Sequence, residues 1–298
     1  MLYDVIVVGG SFAGLSAAMQ LGRARRRVLV IDAGLPRNRF ADASHGFLGQ
    51  DGKPPHAIIA EAARQVLAYP TVEIVRAEAS DVTAQDDTFV VPHGAGRSAR
   101  GRRVILATGV SDRLPDIPGL RERWGASVLH CPYCHGYETR DRPLGVLATR
   151  EASMHVAAML PDWGPTTLFT QGLHRPDAEL AALLARRGVT IEETPVVEVF
   201  GQEPTLEGVR LADGREIGVN ALFVAPDTRP SAPFAERLGC AIDEGPLGPV
   251  IRVDDWKATT VPGVFAAGDA ARANHNATLA SADGVLAGVA AHRSLVFG

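Results

Sequence analysis

Apolar runs four or five residues long alternate with stretches of helical period along most of the chain. Val5-Ile6-Val7-Val8 reads as a strand buried on both faces, and 13–22 as a helix whose small and apolar residues recur every three or four positions. A second strand over 27–31 ends at Asp32, a helix over 55–68 follows, and strands are predicted over 72–76, 88–92 and 103–106. After 115–119 the pattern starts again, with a strand over 144–147, a helix over 152–160 and a strand over 167–170. A helix over 177–187 and strands over 196–200, 208–211 and 221–224 complete that second unit. Gly245-Pro246-Leu247-Gly248-Pro249 reads as a linker, and the tail as a strand over 263–266 and a helix over 279–295. Two βαβ beginnings, near residues 5 and 144, predict an α/β protein of two doubly wound, Rossmann-like domains, which suits 298 residues.

Composition narrows the function classes. Lys and Arg number 30 against 34 Asp and Glu, a net charge of −4, and the Arg clusters (25–27, 102–103, 186–187) are short. No basic field exists to hold nucleic acid or an anionic membrane. The apolar runs are strand-sized, so no spanning helix is expected, and the first residues lack the basic start of a signal peptide. Three cysteines do not make a disulfide scaffold; a cytoplasmic protein is expected.

The first chemical signal is Gly9-Gly10-Ser11-Phe12-Ala13-Gly14, between a predicted strand and a predicted helix. In a Gly-x-Gly-x-x-Gly frame Ser11 fills the middle position; Gly9 permits the tight turn, and Gly14 lets the helix approach the strand. The helix start then offers amides and a partial positive charge to a pyrophosphate, and the Ser11 hydroxyl offers a further contact. Asp32, at the end of the next strand, can accept ribose hydroxyls.

His130-Cys131-Pro132-Tyr133-Cys134-His135-Gly136 is the richest stretch. Three readings compete for it. A structural zinc site needs four ligands, and no second Cys-x-x-Cys exists, so His130 and His135 would have to crowd in; no metal is expected. An inert packed pair is the second, and a redox pair whose thiolate is favoured by a nearby imidazolium is the third. An imidazole titrating near 6.5 can relay thiol protons at neutral pH, which makes His135 a candidate base. A hydrogen-bonded structural histidine is the alternative; His275 is a weaker candidate and His130 weaker still. Cys240 stands alone and reads as a buried structural thiol.

Ala107-Thr108-Gly109 closes a strand, and Thr259–Asp269 ends in Gly268-Asp269. With these segments the whole chain resembles the low-molecular-weight thioredoxin reductase family of flavoproteins. The resemblance implies FAD, with Gly268 and Asp269 at its ribityl and pyrophosphate. It also implies cofactor contacts from Gly9, Ser11, Phe12, Ala13, Gly14, Asp32, Ala33, Arg39, His45, Thr108 and Gly109. It implies a discontinuous FAD domain, residues 1–114 and 245–298, with an insert over 115–244, and a homodimer. Where that family follows its cysteine pair with Asp-Gly, this chain has His135, which resembles the dithiol oxidases of disulfide natural products such as gliotoxin and holomycin. That likeness implies that Cys134 faces the flavin and that Cys131 is attacked by substrate. An NADPH-using member needs a glycine-rich turn after residues 144–147, yet Ala148-Thr149-Arg150-Glu151 stands there, with Gln171-Gly172-Leu173 and Ala225-Pro226-Asp227-Thr228 at two further contact points. A nucleotide site in the insert is therefore expected to be degenerate, and NADPH doubtful. The expected activity is oxidation of a small-molecule or protein dithiol, with O₂ as acceptor. An NAD(P)H-dependent disulfide reductase and a non-catalytic flavin redox sensor are the alternatives.

Overall fold

The computed structural model describes residues 1–298. The chain folds as two units, Met1–Arg39 with Pro54–Ser111 and Thr228–Gly298, and Phe40–Lys53 with Asp112–Asp227. Residues 228–244, expected in the insert, pack with the first unit, and residues 40–53 with the second.

The first unit is built on a seven-stranded sheet. Its parallel part runs Val72–Arg76, Val28–Asp32, Leu2–Val8, Arg97–Leu106 and Val264–Ala266, with Val7 beside both Val30 and Ile105. Val5, Ile6 and Val7 are fully buried, as a strand covered on both faces requires. Burial of each such side chain contributes about 1.5–3 kcal/mol, the gross term that holds the sheet's layers together. Thr88–His93 and Thr83–Gln85 extend the sheet antiparallel.

Helix Phe12–Arg23 covers one face beside the last helix, Ala277–Phe297. A Cβ on Gly284 would lie 2.0 Å from the Ala13 carbonyl oxygen, and one on Gly288 2.7 Å from that of Ala17. Small residues one turn apart thus bring the two helices to backbone contact. Asn276 caps the last helix, its Oδ1 accepting from the amides of Thr278 and Leu279 at 2.8 and 3.3 Å.

Residues 245–249 form a tight turn, not a linker. They join the antiparallel strands Ile242–Glu244 and Pro249–Ile251, and the Gly245 amide donates to the Gly248 carbonyl at 3.0 Å. Gly248 (φ +146°) lies where a Cβ would stand 2.0 Å from the Thr228 carbonyl oxygen. Gly and Pro mark turns and linkers alike; the pairing of the flanking strands decided between them.

The second unit holds a five-stranded parallel sheet in the order Thr190–Glu192, Thr166–Phe169, Leu144–Leu147, Ala221–Val224, Val128–Leu129. Leu129, Leu144, Phe223 and Leu160 are sealed in its core. A three-stranded antiparallel sheet, Val196–Phe200, Gly208–Leu211 and Glu216–Gly218, completes it. No helix is long and apolar enough to cross a membrane.

Candidate active site

In the first unit the sequence-predicted residues gather at the carboxyl ends of the parallel strands, where open α/β sheets take their ligands. Gly9 has φ +107°, and a Cβ there would stand 2.2 Å from the Ala107 carbonyl oxygen. A Cβ on Gly14 would stand 1.8 Å from the Gly9 carbonyl oxygen, so helix and turn interlock only without side chains. The frame reading gave Gly10 no role, yet a Cβ there would lie 2.6 Å from the Asp32 Cβ. The Asp32 carboxylate accepts from the amides of Gly10 and Gly34 at 3.2 and 3.1 Å, and ion-pairs with Arg76. Arg76 was missed; the only signal was register, because it ends the strand paired with Val28–Asp32 and sits opposite Asp32.

Ser11 caps helix Phe12–Arg23 without a side-chain bond. Gly268 (φ +74°) packs on the start of that helix, its Cβ position 2.9 Å from the Ala13 Cβ. Asp269 ion-pairs with Arg37 at 3.2 Å, and Thr108 lies against the Gly9 turn. Gly109 (φ +66°) opens on free space, with its carbonyl accepting from the Ser231 amide at 3.1 Å. Ala33 and Arg39 are exposed, and Arg39 donates to the Pro36 carbonyl at 3.0 Å. His275 lies in this unit, between the turn Gly268–Ala271 and the last helix, its ring nitrogens shielded from solvent.

In the second unit Cys131 and Cys134 are joined as a disulfide, with Cα atoms 5.3 Å apart. Pro132 starts the single helical turn Pro132–His135, and the Gly136 amide donates to the Pro132 carbonyl at 2.6 Å. Gly136 admits the Trp163 indole, which a Cβ would meet at 2.9 Å. Trp163 also takes the Tyr133 ring edge-on at 5.8 Å, and the Tyr133 hydroxyl reaches the Met159 sulfur at 3.9 Å. Neither Trp163 nor Met159 was visible in the motif; the glycine was the only hint of a close neighbour. The His130 ring lies against that of Trp124, with centroids 5.9 Å apart and the planes tilted by 33°.

His135 is half-buried, and burial pushes its imidazole below the ordinary value near 6.5. Glu138 opposes that shift and His45 adds to it. His45 belongs to this unit, with Nδ1 3.6 Å from a Glu138 carboxylate oxygen and 3.7 Å from one of Asp51. The lowered value leaves His135 unprotonated and able to accept a thiol proton at neutral pH.

The pyridine nucleotide-disulphide oxidoreductase family model matches residues 3–284. The chain belongs to this family. It is 32% identical to the thioredoxin reductase tcpT of Claviceps purpurea over 308 residues, covering 99% of this chain and 95% of the relative. The crystal structure of the oxidoreductase from Agrobacterium tumefaciens superposes with a TM-score of 0.94 at 52% identity, covering 100% of this chain and 99% of that one. That of HlmI superposes with a TM-score of 0.91 at 38% identity, covering 99% and 92%. The thioredoxin reductase-like likeness read from the motifs therefore holds over the whole chain, as does the two-domain α/β fold.

Membership in this family, with thioredoxin reductase-like neighbours, implies FAD, and the cradle of the first unit fits it. Its turn is cleared of Cβ atoms at Gly9 and Gly14, it ends on a helix of twelve residues, and an acid closes the neighbouring strand. The turn in the corresponding place of the second unit, after Leu144–Leu147, carries side chains where the first has glycine. Ala148 is 2% exposed, and the Thr149 hydroxyl donates to the Ala225 carbonyl at 2.7 Å. Arg150 reaches Asp227 at 3.7 Å across the ends of strands Leu144–Leu147 and Ala221–Val224.

Proposed function

We propose that this disulfide oxidoreductase is an FAD-dependent dithiol oxidase that passes electrons from a substrate dithiol to O₂. The observation that carries the reading is Arg150: it stands where a pyrophosphate needs bare backbone, and it is tied to Asp227. Glu151 beside it adds a like charge at the start of helix Ala152–Met159. A hydride donor bound at that strand end would have to displace both.

The chemistry on the protein is thiol–disulfide exchange. His135 takes the proton of one substrate thiol, and the thiolate attacks the Cys131 sulfur. The Cys131–Cys134 bond breaks and Cys134 leaves as a thiolate. The second substrate thiolate then attacks the mixed disulfide, so that the substrate leaves as a disulfide and both cysteines are reduced. Two electrons and two protons have moved from substrate to protein. Gly9, Ser11, Phe12, Ala13, Gly14, Asp32, Thr108, Gly109, Gly268 and Asp269 would hold FAD, which when bound supplies two-electron redox chemistry to the thiol pair. The net reaction is a dithiol and O₂ giving a disulfide and H₂O₂.

The alternative is an NAD(P)H-dependent disulfide reductase, and the name of the Claviceps purpurea relative, a thioredoxin reductase, favours it. Anaerobic rapid mixing of the holoenzyme separates the two. Bleaching of the flavin by dithiothreitol, with return of colour and H₂O₂ on admitting air, is the expected result; fast bleaching by NADPH would overturn the oxidase. Cys131→Ser or Cys134→Ser is expected to lower dithiol-dependent O₂ uptake by at least about a thousandfold, the usual scale for loss of a covalent nucleophile.

A further inference from the structure

Asp32 ends the strand Val28–Asp32 and Arg76 ends the edge strand Val72–Arg76, and the parallel register sets the two opposite each other. The Ala77 amide donates to the Asp32 carbonyl at 2.9 Å, so the backbone holds that pairing to its last residue. Nη1 of Arg76 donates to Oδ2 of Asp32. The guanidinium takes the space a side chain at 34 would need: a Cβ on Gly34 would stand 2.6 Å from Arg76 Nη1. The Asp32 side chain is 15% exposed and that of Arg76 70%, so the carboxylate is sunk at the strand ends and the cation stands outside it, open to a ligand.

A carboxylate offers about four lone pairs, two on each oxygen. Oδ1 of Asp32 accepts from the amides of Gly10 and Gly34 at 3.2 and 3.1 Å, and Oδ2 accepts from Arg76. Oδ2 therefore keeps a single lone pair for a ligand. An acid in this place accepts ribose hydroxyls, and the adenosine ribose of FAD carries two of them side by side. We propose that Arg76 reads the second: Asp32 accepts the proton of one hydroxyl, and a guanidinium N–H beside it donates to the oxygen of the neighbouring one. The pair recognises a vicinal diol, acceptor and donor together, where Asp32 with one open lone pair holds a single hydroxyl. The bond Arg76 makes is charge-assisted, and four of the five N–H groups of a guanidinium remain for it once one is spent on a carboxylate. Arg76 is thus a specificity residue for the adenosine end of the cofactor, which is the far end of the FAD molecule from its redox-active ring. Its effect falls on affinity and not on the thiol–disulfide steps.

The inference rests on the FAD part of the proposed function and not on O₂ as acceptor. Full-length protein stripped of flavin is titrated, by quenching of flavin fluorescence, with FAD and with FAD built on 2′-deoxyadenosine or 3′-deoxyadenosine, in the wild type and in Arg76→Ala. One of the two deoxy cofactors is expected to bind the wild type about tenfold more weakly than FAD, the scale of one hydrogen bond to a charged donor. In Arg76→Ala, FAD should weaken by about the same factor, and that deoxy cofactor should then bind as well as FAD does, because the hydroxyl it lacks has lost its partner. Arg76 is exposed, so the variant is expected to fold, and a melting curve of the stripped protein checks that it does. Equal weakening of FAD and both deoxy cofactors in Arg76→Ala would mean a merely structural role and overturns the inference. So does FAD binding that the substitution leaves unchanged or tightens. Fast bleaching by NADPH would overturn the oxidase and leave these affinities, measured on oxidised flavin, as they are.

Discussion

The two parallel sheets end in turns built on one plan and filled by different residues. In the first unit the strand Leu2–Val8 runs into Gly9-Gly10-Ser11 and then a helix; in the second, Leu144–Leu147 runs into Ala148-Thr149-Arg150-Glu151 and then a helix. At Gly9 and Gly14 a Cβ would collide with backbone at 2.2 and 1.8 Å, so the first turn is bare because its own packing demands it. At the second turn Ala148 is accommodated in the core and Arg150 lies across the strand ends toward Asp227. Topology is shared, and under the proposed function the side chains of residues 148–151 close the second strand end to a diphosphate that the first leaves room for. A doubly wound sheet is thus a place where a nucleotide can bind, and its turn residues settle whether one does.

The comparison breaks most sharply at the glycines. Gly14→Val or Gly9→Ala should destabilise the protein by about 3 kcal/mol or more and abolish FAD retention, whereas Ala148→Gly should cost about 1 kcal/mol at most. Thermal melts and the flavin content of purified protein measure both; equal sensitivity of the two turns would refute the contrast. Next in size is the double variant Ala148→Gly/Arg150→Gly, which should gain NADPH binding at millimolar concentration while the wild type shows none by equilibrium dialysis. No gain would mean that the strand end is closed by more than these side chains.

A smaller effect concerns pH. Burial holds His135 below its ordinary 6.5, so the unfolded chain binds this proton at higher pH than the folded one. Stability and proton acceptance are therefore intact above pH 6.5 and decline as pH falls through the depressed value. Dithiothreitol reduction of the disulfide followed against pH should show its His135 limb below 6.5, and the limb should vanish in His135→Gln. The smallest effect is Asp227→Asn. It removes a partly exposed ion pair at 3.7 Å, so unfolding in urea should register no more than about 1 kcal/mol.

Much of this was legible from residue types because the signals are local. Strands covered on both faces read as unbroken apolar runs, Gly-x-x-x-x-Gly before a helix reads as a turn, and Cys-Pro-x-Cys-His reads as a redox loop. What escaped reading was set by neighbours distant in the chain. Arg76 meets Asp32 through strand register, Trp163 meets the redox turn through the space Gly136 leaves, and Gly284 and Gly288 seat the last helix on the first. His45 was assigned to the cofactor by resemblance, and the side chains it faces, Asp51 and Glu138, could not be named from its surroundings in the sequence.

The amino-acid order by itself determined the α/β class, the glycine turn, the acid at the following strand end and the pair of cysteines, since each depends on a handful of consecutive residues. Folding decided which of several glycines are indispensable, where residues 228–249 belong, and which charged groups surround His135. Those are matters of through-space approach at a few ångströms between segments tens to hundreds of positions apart, where a one-residue change of register would replace every partner.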